Sequence, residues 1–465
     1  MSGAVLKGRL AVVVGAGPSG VALTKFLVRR GANVTLVDNR PEEKVRPLLE
    51  EALDLSKFRL ECGEYQQKTF EGAQLVVVTP GVPMDLKVLE FARTSGIEVV
   101  SELEFVSTQA DEPFIAVAGT NGKSTTAALL TRMLEGAGKT VYANVDQPLA
   151  DYLNKSKPAD YVVAVANSFQ LEGIRNFKPE TVIFTNLAED HLHRYPNLET
   201  YFAANREVFR NVGLETRVLL NAGDANTLAF AQQISGKLAF FGGSELPQNF
   251  DGAWANKNEM KVRVGTEVGQ ATEHSFELKN LRLRGPGNRE NLMAASLLAL
   301  QMGVKPVVVQ GVIDSFSALP GRIEFVKRIN SVAFYGDSHG ANPAASLRTL
   351  QAFQEPLILI SGGRDKNADY SALAPHVRQR VKNLILVGEA KEKINRALGD
   401  FTETFLVGTV EEAILIAYQK SRGGDVVLFS PMCEGTDQFA HHAERADYFR
   451  KLVLQLAQPR KLNYI

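Results

Sequence analysis

The chain has 465 residues, 52 Lys+Arg against 52 Asp+Glu, and hence a formal net charge of zero. That length exceeds what one compact core usually serves, so two or three domains are expected. Charge balance argues against a mainly electrostatic binder of nucleic acid or anionic membrane, and 45% hydrophobic with 22% charged residues is ordinary for a folded globular chain.

Two cysteines, Cys62 and Cys433, are too few for a disulfide framework or a zinc cluster. No apolar run approaches the roughly 20 residues of a membrane span, and the N-terminal segment lacks a signal-peptide layout. A cytoplasmic, monomeric enzyme without a nucleic-acid or membrane partner is expected.

In chain order, aliphatic runs of four to six residues alternate with helix-length stretches. Residues 10–14 predict a strand, 21–30 a helix and 34–37 a second strand. Between the first two lies Gly15-Ala16-Gly17-Pro18-Ser19-Gly20, and Asp38 ends the second strand. Glycines there let a backbone approach a pyrophosphate at a helix N-terminus, and an acidic residue about twenty positions on completes the dinucleotide-fold pattern. NAD, FAD and UDP-linked ligands all suit it. A strand at 75–78 is followed by Thr79-Pro80-Gly81.

A strand at 114–117 then leads into Gly119, Thr120, Asn121, Gly122, Lys123, Ser124 and Thr125, with a helix expected from near Thr126. Such a loop cradles phosphates on backbone N–H groups, its lysine reaches the β/γ oxygens, and Ser or Thr hydroxyls ligate Mg²⁺. Val117 stands where the strict P-loop has glycine. Further strands are expected at 161–166, 181–184, 357–360, 384–387 and 425–429. Residues 243–284, polar and Gly-rich, predict a small antiparallel excursion. Breaks near 109–112 and 318–322 give three α/β domains: a Rossmann-like domain at 1–108, a central P-loop-like ATPase domain with a parallel sheet at 109–317, and a C-terminal Rossmann-like domain at 318–465.

A glycine-loop domain, an ATP loop and a third α/β domain together resemble the Mur ligases, which build the peptide stem of bacterial cell-wall precursors. The likeness covers essentially the whole chain. Supporting segments stand in family order: Ser168-Phe169-Gln170-Leu171-Glu172, Asp190-His191-Leu192-His193-Arg194-Tyr195, Gly287-Asn288-Arg289-Glu290-Asn291, Leu319-Pro320-Gly321-Arg322, Asp337-Ser338, Gly362-Gly363-Arg364-Asp365-Lys366 and Asp437-Gln438-Phe439. The resemblance is strongest to the D-glutamate-adding branch. It implies ATP- and Mg²⁺-dependent formation of an acyl phosphate on UDP-N-acetylmuramoyl-L-alanine, then displacement of phosphate by the amine of D-glutamate.

By position, the resemblance implies that Gly15, Ser19, Asp38, Asn39, Arg40, Thr79, Pro80 and Gly81 hold the uridine diphosphate end, with Asn144, Ser168 and Gln170 near the sugar. Gly119 to Thr125, Asn288, Asn291, Arg322 and Asp337 would hold ATP. Lys123, His191, Arg322 and Asp337 would serve the chemistry, and Ser124, Thr125 and His191 the metal. His339, Gly435 and Thr436 would face the amino acid. Closure about Pro320-Gly321 would bring distant segments together.

The chain also departs from the family pattern. Val165 replaces a metal-binding glutamate, and Asn205 replaces a lysine whose carbamate helps hold a second Mg²⁺. His339 occupies a lysine position beside the incoming glutamate, and Gly435-Thr436 replace a Ser-Leu pair. Three readings follow: a ligase with compensating ligands, a ligase for another amino acid, or a paralogue that binds nucleotide and UDP-sugar without ligating. An oxidoreductase built on the first glycine motif leaves Gly122-Lys123-Ser124-Thr125 unexplained.

Overall fold

The computed structural model describes residues 6–456 except 193, 244–245, 247, 266–268, 270, 366, 434, 436 and 440–441. Thr436, and the motif residues His193 and Lys366, therefore lie outside the described residues. The chain forms two compact units: Met1–Leu187, Glu199–Phe276 and Asn291–Gln310 in the first, and Ala188–Leu198, Glu277–Glu290 and Gly311–Ile465 in the second. Among the described residues no helix is long and apolar enough to cross a membrane.

The first unit carries two sheets. Strands β1 (Leu10–Val14), β2 (Asn33–Asp38), β3 (Arg59–Cys62), β4 (Leu75–Val78) and β5 (Glu98–Ser101) pair in parallel in the order β3-β2-β1-β4-β5. The order reverses between β1 and β4. Crossovers leave that point in opposite directions and open a crevice at the carboxyl ends of the strands, where such sheets take ligands. The helix after β1 runs Pro18–Arg29, three residues earlier than expected, because proline is preorganised for a first helical turn.

The second sheet comprises β6 (Phe114–Ala118), β7 (Val141–Ala143), β8 (Tyr161–Val165), β9 (Thr181–Phe184), β10 (Arg217–Asn221), β11 (Lys237–Phe241), β12 (Asp251–Ala255), β13 (Glu259–Val264) and β14 (Thr272–Glu277). Its order is β14-β13-β12-β11-β10-β9-β6-β8-β7. The expected excursion at 243–284 is corrected here. Strand β12 pairs in parallel with β11, so the segment extends the main sheet, and antiparallel pairing begins only between β12 and β13.

The change of sheet near residue 109 is not a change of core. Leu23, Phe26, Leu103 and Phe105 of the first sheet's layer join Phe114, Leu149, Phe177 and Phe184 of the second in one buried cluster. Phe26 meets Phe105 edge-on at 6.1 Å between centroids, and Phe114 meets Phe177 at 5.8 Å. Such contacts add to the area that each ring buries.

In the second unit, β15 (Glu324–Ile329), β16 (Val332–Gly336), β17 (Leu357–Gly362), β18 (Val381–Val387), β19 (Glu403–Leu406) and β20 (Val426–Phe429) form a sheet in the order β15-β16-β20-β17-β18-β19. All pairs are parallel except β15 on β16. Apolar clusters cover both faces. Two-sided burial is why these strands read as unbroken aliphatic runs.

Candidate nucleotide and substrate site

The loop after β6 turns directly into the helix Lys123–Gly136, so Ser124 and Thr125 lie in its first turn rather than before it. Gly122 makes this early start possible. Its φ is +93°, and a Cβ there would lie 2.2 Å from Asn291 Oδ1, so only glycine fits. The helix has no side-chain N-cap, which leaves its first N–H groups suited to an anion. Lys123 Nζ donates to the carbonyls of Gly119 and Thr120, both at 2.8 Å, placing its charge across the loop.

A second strand end braces the loop. Asn186 accepts the Asn121 N–H at 3.1 Å and donates to the Asn121 carbonyl at 2.8 Å, while its own carbonyl takes the Thr120 N–H at 2.8 Å. The Thr120 hydroxyl pairs with Tyr201 at 3.0 Å. Neither Asn186 nor Tyr201 was expected in this role. Asn186 is two residues beyond β9, the strand beside β6, and that adjacency is the only signal that could have found it.

The donor set for metal is thinner than the family pattern. Ser124 and Thr125, both buried, offer hydroxyls beside the loop and fit one Mg²⁺ that is otherwise held by phosphates and water. Val165, buried at the end of β8, presents methyl groups. Asn205 is fully buried; its Nδ2 donates to the Tyr201 carbonyl at 3.0 Å, and its Oδ1 has no hydrogen-bond partner. Neither supplies an anionic oxygen, and among the described residues no group of three His, Cys, Asp or Glu could hold an ion. Val165 and Asn205 therefore offer no anionic oxygen to a second Mg²⁺.

Around the first crevice, Asp38 is buried and accepts the Ala16 N–H at 2.7 Å, with Arg40 Nε at 2.7 Å and the Arg40 N–H at 3.0 Å. Burial alone would raise its carboxyl, but these hydrogen bonds hold it below the usual aspartate range. The Thr79 hydroxyl donates to the Val14 carbonyl at 2.9 Å, tying β4 to the glycine loop. Asn39, Arg40 and Gly81 are exposed.

Asn144 does not project freely. Its Oδ1 accepts the Val165 N–H at 2.6 Å and its Nδ2 donates to the Val165 carbonyl at 3.3 Å, so the amide clamps the end of β8. Ser168 and Gln170 lie in the buried turn just beyond. Asn291 belongs with the ATP loop of the first unit, taking the Thr126 hydroxyl at 3.3 Å.

The remaining predicted residues belong to the second unit. Asn288 donates to the Arg284 carbonyl at 2.9 Å. Asp337 lies just past β16 and is buried. Burial pushes its carboxyl up to about 6, against hydrogen bonds from the Thr349 hydroxyl (2.6 Å), the Ile323 N–H (3.3 Å) and Ser430, and against the nearby Arg322 charge. His191 has φ of +56°, an uncommon conformation for a non-glycine residue. Asp190 accepts its N–H at 2.7 Å and also accepts from Asn342 Nδ2 at 2.8 Å. Asn342 thus links the His191 loop to the helix Pro343–Leu350 that its Oδ1 caps.

His339, at the lysine position, lies against His442 with the rings tilted by 42° and 5.5 Å between centroids. Burial, then the charges of Arg322, His442 and Arg445, push its imidazole down to about 2, so it carries no cation to an incoming carboxylate. Gly435 is buried against Arg445, whose guanidinium, 2% exposed, donates to the Ser338 carbonyl at 2.6 Å and the Cys433 carbonyl at 3.2 Å.

The neutral His339 has a consequence for stability. The unfolded chain would take up a proton at about pH 6.5, whereas the folded imidazole resists until about 2. Below about pH 6.5 the unfolded state therefore binds more protons, and stability falls as pH falls. The His339 ring resonances should stay at neutral-form positions from pH 8 to 4 in NMR titration. His339→Asn should flatten the acid limb of the stability curve. A ring that titrates near 6.5 contradicts this.

Three family models match the chain: a Mur ligase MurD-like N-terminal domain over residues 9–101, a Mur ligase middle domain over 117–299 and a Mur ligase glutamate ligase domain over 321–433. The UDP-N-acetylmuramoylalanine–D-glutamate ligase of Bdellovibrio bacteriovorus is 43% identical, with 96% of this chain and 98% of that protein covered. The ligase of the same name from Geotalea daltonii is 36% identical over 97% and 98%. Among solved structures, the UDP-N-acetylmuramate-alanine ligase of Thermotoga maritima superposes with a TM-score of 0.60 at 18% identity, covering 96% of this chain and 99% of that one. The MurF ligase of the same organism, solved in complex with ADP, gives 0.59 at 13% identity over 98% and 100%. Three α/β sheets in this order, the ATP loop and near-full-length identity lead to one conclusion: the chain belongs to the Mur ligase family.

Proposed function

We propose that the chain is an ATP-dependent ligase that adds D-glutamate to UDP-N-acetylmuramoyl-L-alanine in peptidoglycan precursor synthesis. The observation that carries this reading is full-length likeness to D-glutamate-adding ligases combined with an intact phosphate loop, in which Gly122 and Lys123 keep the geometry that phosphate binding needs. A carboxylate oxygen of the sugar nucleotide attacks the γ-phosphorus and ADP leaves. The amine of the amino acid then attacks the acyl carbon and phosphate leaves. Lys123 and the helix N-terminus oppose the charge that develops on the transferring oxygens. A Mg²⁺ on the phosphates and Ser124 or Thr125 would supply further neutralisation. Asn144 and Gln170 hold the end of β8 and the turn after it, where the sugar would lie.

A second reading rests on the neutral His339, the missing side chain at Gly435 and the absent anionic oxygens at Val165 and Asn205. These favour a weak ligase or one for a different amino acid. Phosphate release by purified protein with UDP-N-acetylmuramoyl-L-alanine, ATP and Mg²⁺, screened against all amino acids in both configurations, separates the readings. Selective stimulation by D-glutamate supports the first, stimulation by another amino acid replaces it, and acceptor-independent turnover alone rejects ligation.

A further inference from the structure

Asn342 makes two hydrogen bonds that serve different ends. Its Oδ1 accepts the Ala345 N–H at 2.7 Å and caps the helix Pro343–Leu350. Its Nδ2 donates to Asp190 Oδ2 at 2.8 Å, across 152 residues of chain. The residue is 5% exposed, so both bonds form away from bulk water. A cap needs only the oxygen, and serine or aspartate supplies one equally well. The amide NH₂ is the part that capping leaves unexplained.

Asp190 passes the contact on. Its Oδ1 accepts the His191 N–H at 2.7 Å, and its Oδ2 lies 3.7 Å from His191 Nε2, too far for a hydrogen bond. One carboxylate thus braces the left-handed backbone of His191 with one oxygen and is anchored by Asn342 through the other. The His191 carbonyl accepts the N–H groups of Arg194 (2.8 Å) and Tyr195 (3.0 Å), which closes the turn. Beyond Asn342, the His339 N–H donates to the Gly321 carbonyl at 3.1 Å, and the Gly340 carbonyl accepts the Met432 N–H at 3.0 Å. Residues 189–192 and 341–343 line one small cavity.

We infer that Asn342 is a positioning residue for His191: its amide holds Asp190 so that the His191 loop takes its geometry from the 337–342 segment. The inference rests on the reading that the chain transfers the γ-phosphoryl group of ATP with His191 among the reacting groups. Without the Asn342 donor, Asp190 Oδ2 is released toward the imidazole 3.7 Å away and draws the ring from its place. Such a shift is felt as lost alignment rather than as lost nucleotide affinity.

Two measurements on the full chain test this: phosphate release with UDP-N-acetylmuramoyl-L-alanine, ATP and Mg²⁺, and deuterium exchange read by mass spectrometry. Asn342→Ser keeps a cap oxygen and removes the donor. It should lower kcat about tenfold, leave the KM for ATP within about twofold and speed exchange in the peptide that carries His191. Its Tm should stay near that of wild type, whereas a merely structural role would lower Tm and spare kcat. Asn342→Asp sets two carboxylates face to face and should lose more. Adding Asp190→Asn to it should recover activity. The amide placed at 190 keeps its oxygen for the His191 N–H and turns its NH₂ to the carboxylate placed at 342, whose other oxygen caps Ala345. Wild-type kcat or wild-type exchange in folded Asn342→Ser overturns the inference, as does a double variant no faster than Asn342→Asp alone. His191→Ala separates the inference from the reading beneath it. Unchanged phosphate release in that variant removes His191 from the chemistry, and the inference then falls through that reading rather than through Asn342.

Discussion

Replacing Lys123 with alanine should lower ATP-dependent phosphate release by at least about two decades, the scale seen when one preorganised electrostatic donor is removed from a transition state. The ammonium is already fixed over the loop by the Gly119 and Thr120 carbonyls at 2.8 Å, so little reorganisation is needed when charge builds on the γ-phosphoryl oxygens. Two decades correspond to about 2.7 kcal/mol of barrier. The loss should fall mainly on kcat, because the charge is stronger in the transition state than in bound ATP. A folded Lys123→Ala protein with near-wild-type turnover would remove the loop from the chemistry.

The opposite sign is expected at the metal. Val165→Glu combined with Asn205→Lys should raise turnover about tenfold, or lower the Mg²⁺ concentration needed for half-maximal rate, because a carboxylate at 165, and a lysine at 205 once carbamylated by CO₂, would bring anionic oxygen beside the phosphates. The site can accept both changes. Val165 is held through its backbone by Asn144, so its side chain can be exchanged without loss of those bonds. At Asn205 the buried Oδ1 makes no hydrogen bond, so only the Tyr201 contact is given up. A longer lysine in a fully buried position costs about 1–3 kcal/mol of stability unless neighbours adjust, which a thermal scan would register. Each single change should do less than the pair, since groups sharing one site are not additive. If the double variant folds, binds ATP and gains nothing at any Mg²⁺ concentration, the deficit lies elsewhere.

Local chemistry made much of this molecule legible. The glycine loops, Asp38 at the end of β2 and the aliphatic strands announce themselves because a turn, a helix start and a two-sided sheet are each fixed by neighbours in sequence. Partners chosen by distant packing were not legible. Asn186 braces Asn121 from 65 residues away, and Glu102 meets Ala150 across 48. Asn144, expected near the sugar, has its amide on the Val165 N–H and carbonyl at the end of β8, a partnership that its sequence neighbours do not announce. The 243–284 segment misled because β12 reads Asp-Gly-Ala-Trp-Ala, with no β-branched residue, and its parallel pairing depends on β11 rather than on its own composition. The P-loop helix was placed three residues late because the left-handed Gly122 absorbs the whole turn.

Gly435 bears on the order in which such a site can change over time. A Cβ at that position would lie 3.0 Å from Cζ, Nε and Nη1 of Arg445, closer than such atoms normally approach. The guanidinium cannot simply swing aside, since Ser338 and Cys433 hold its nitrogens on two sides and Phe429 lies under its plane at 6.0 Å. Restoring a serine at 435 in one step would thus crowd a buried charge before any contact with an amino acid could be regained. A side chain at 435 is therefore accommodated only together with a change that lets Arg445 shift.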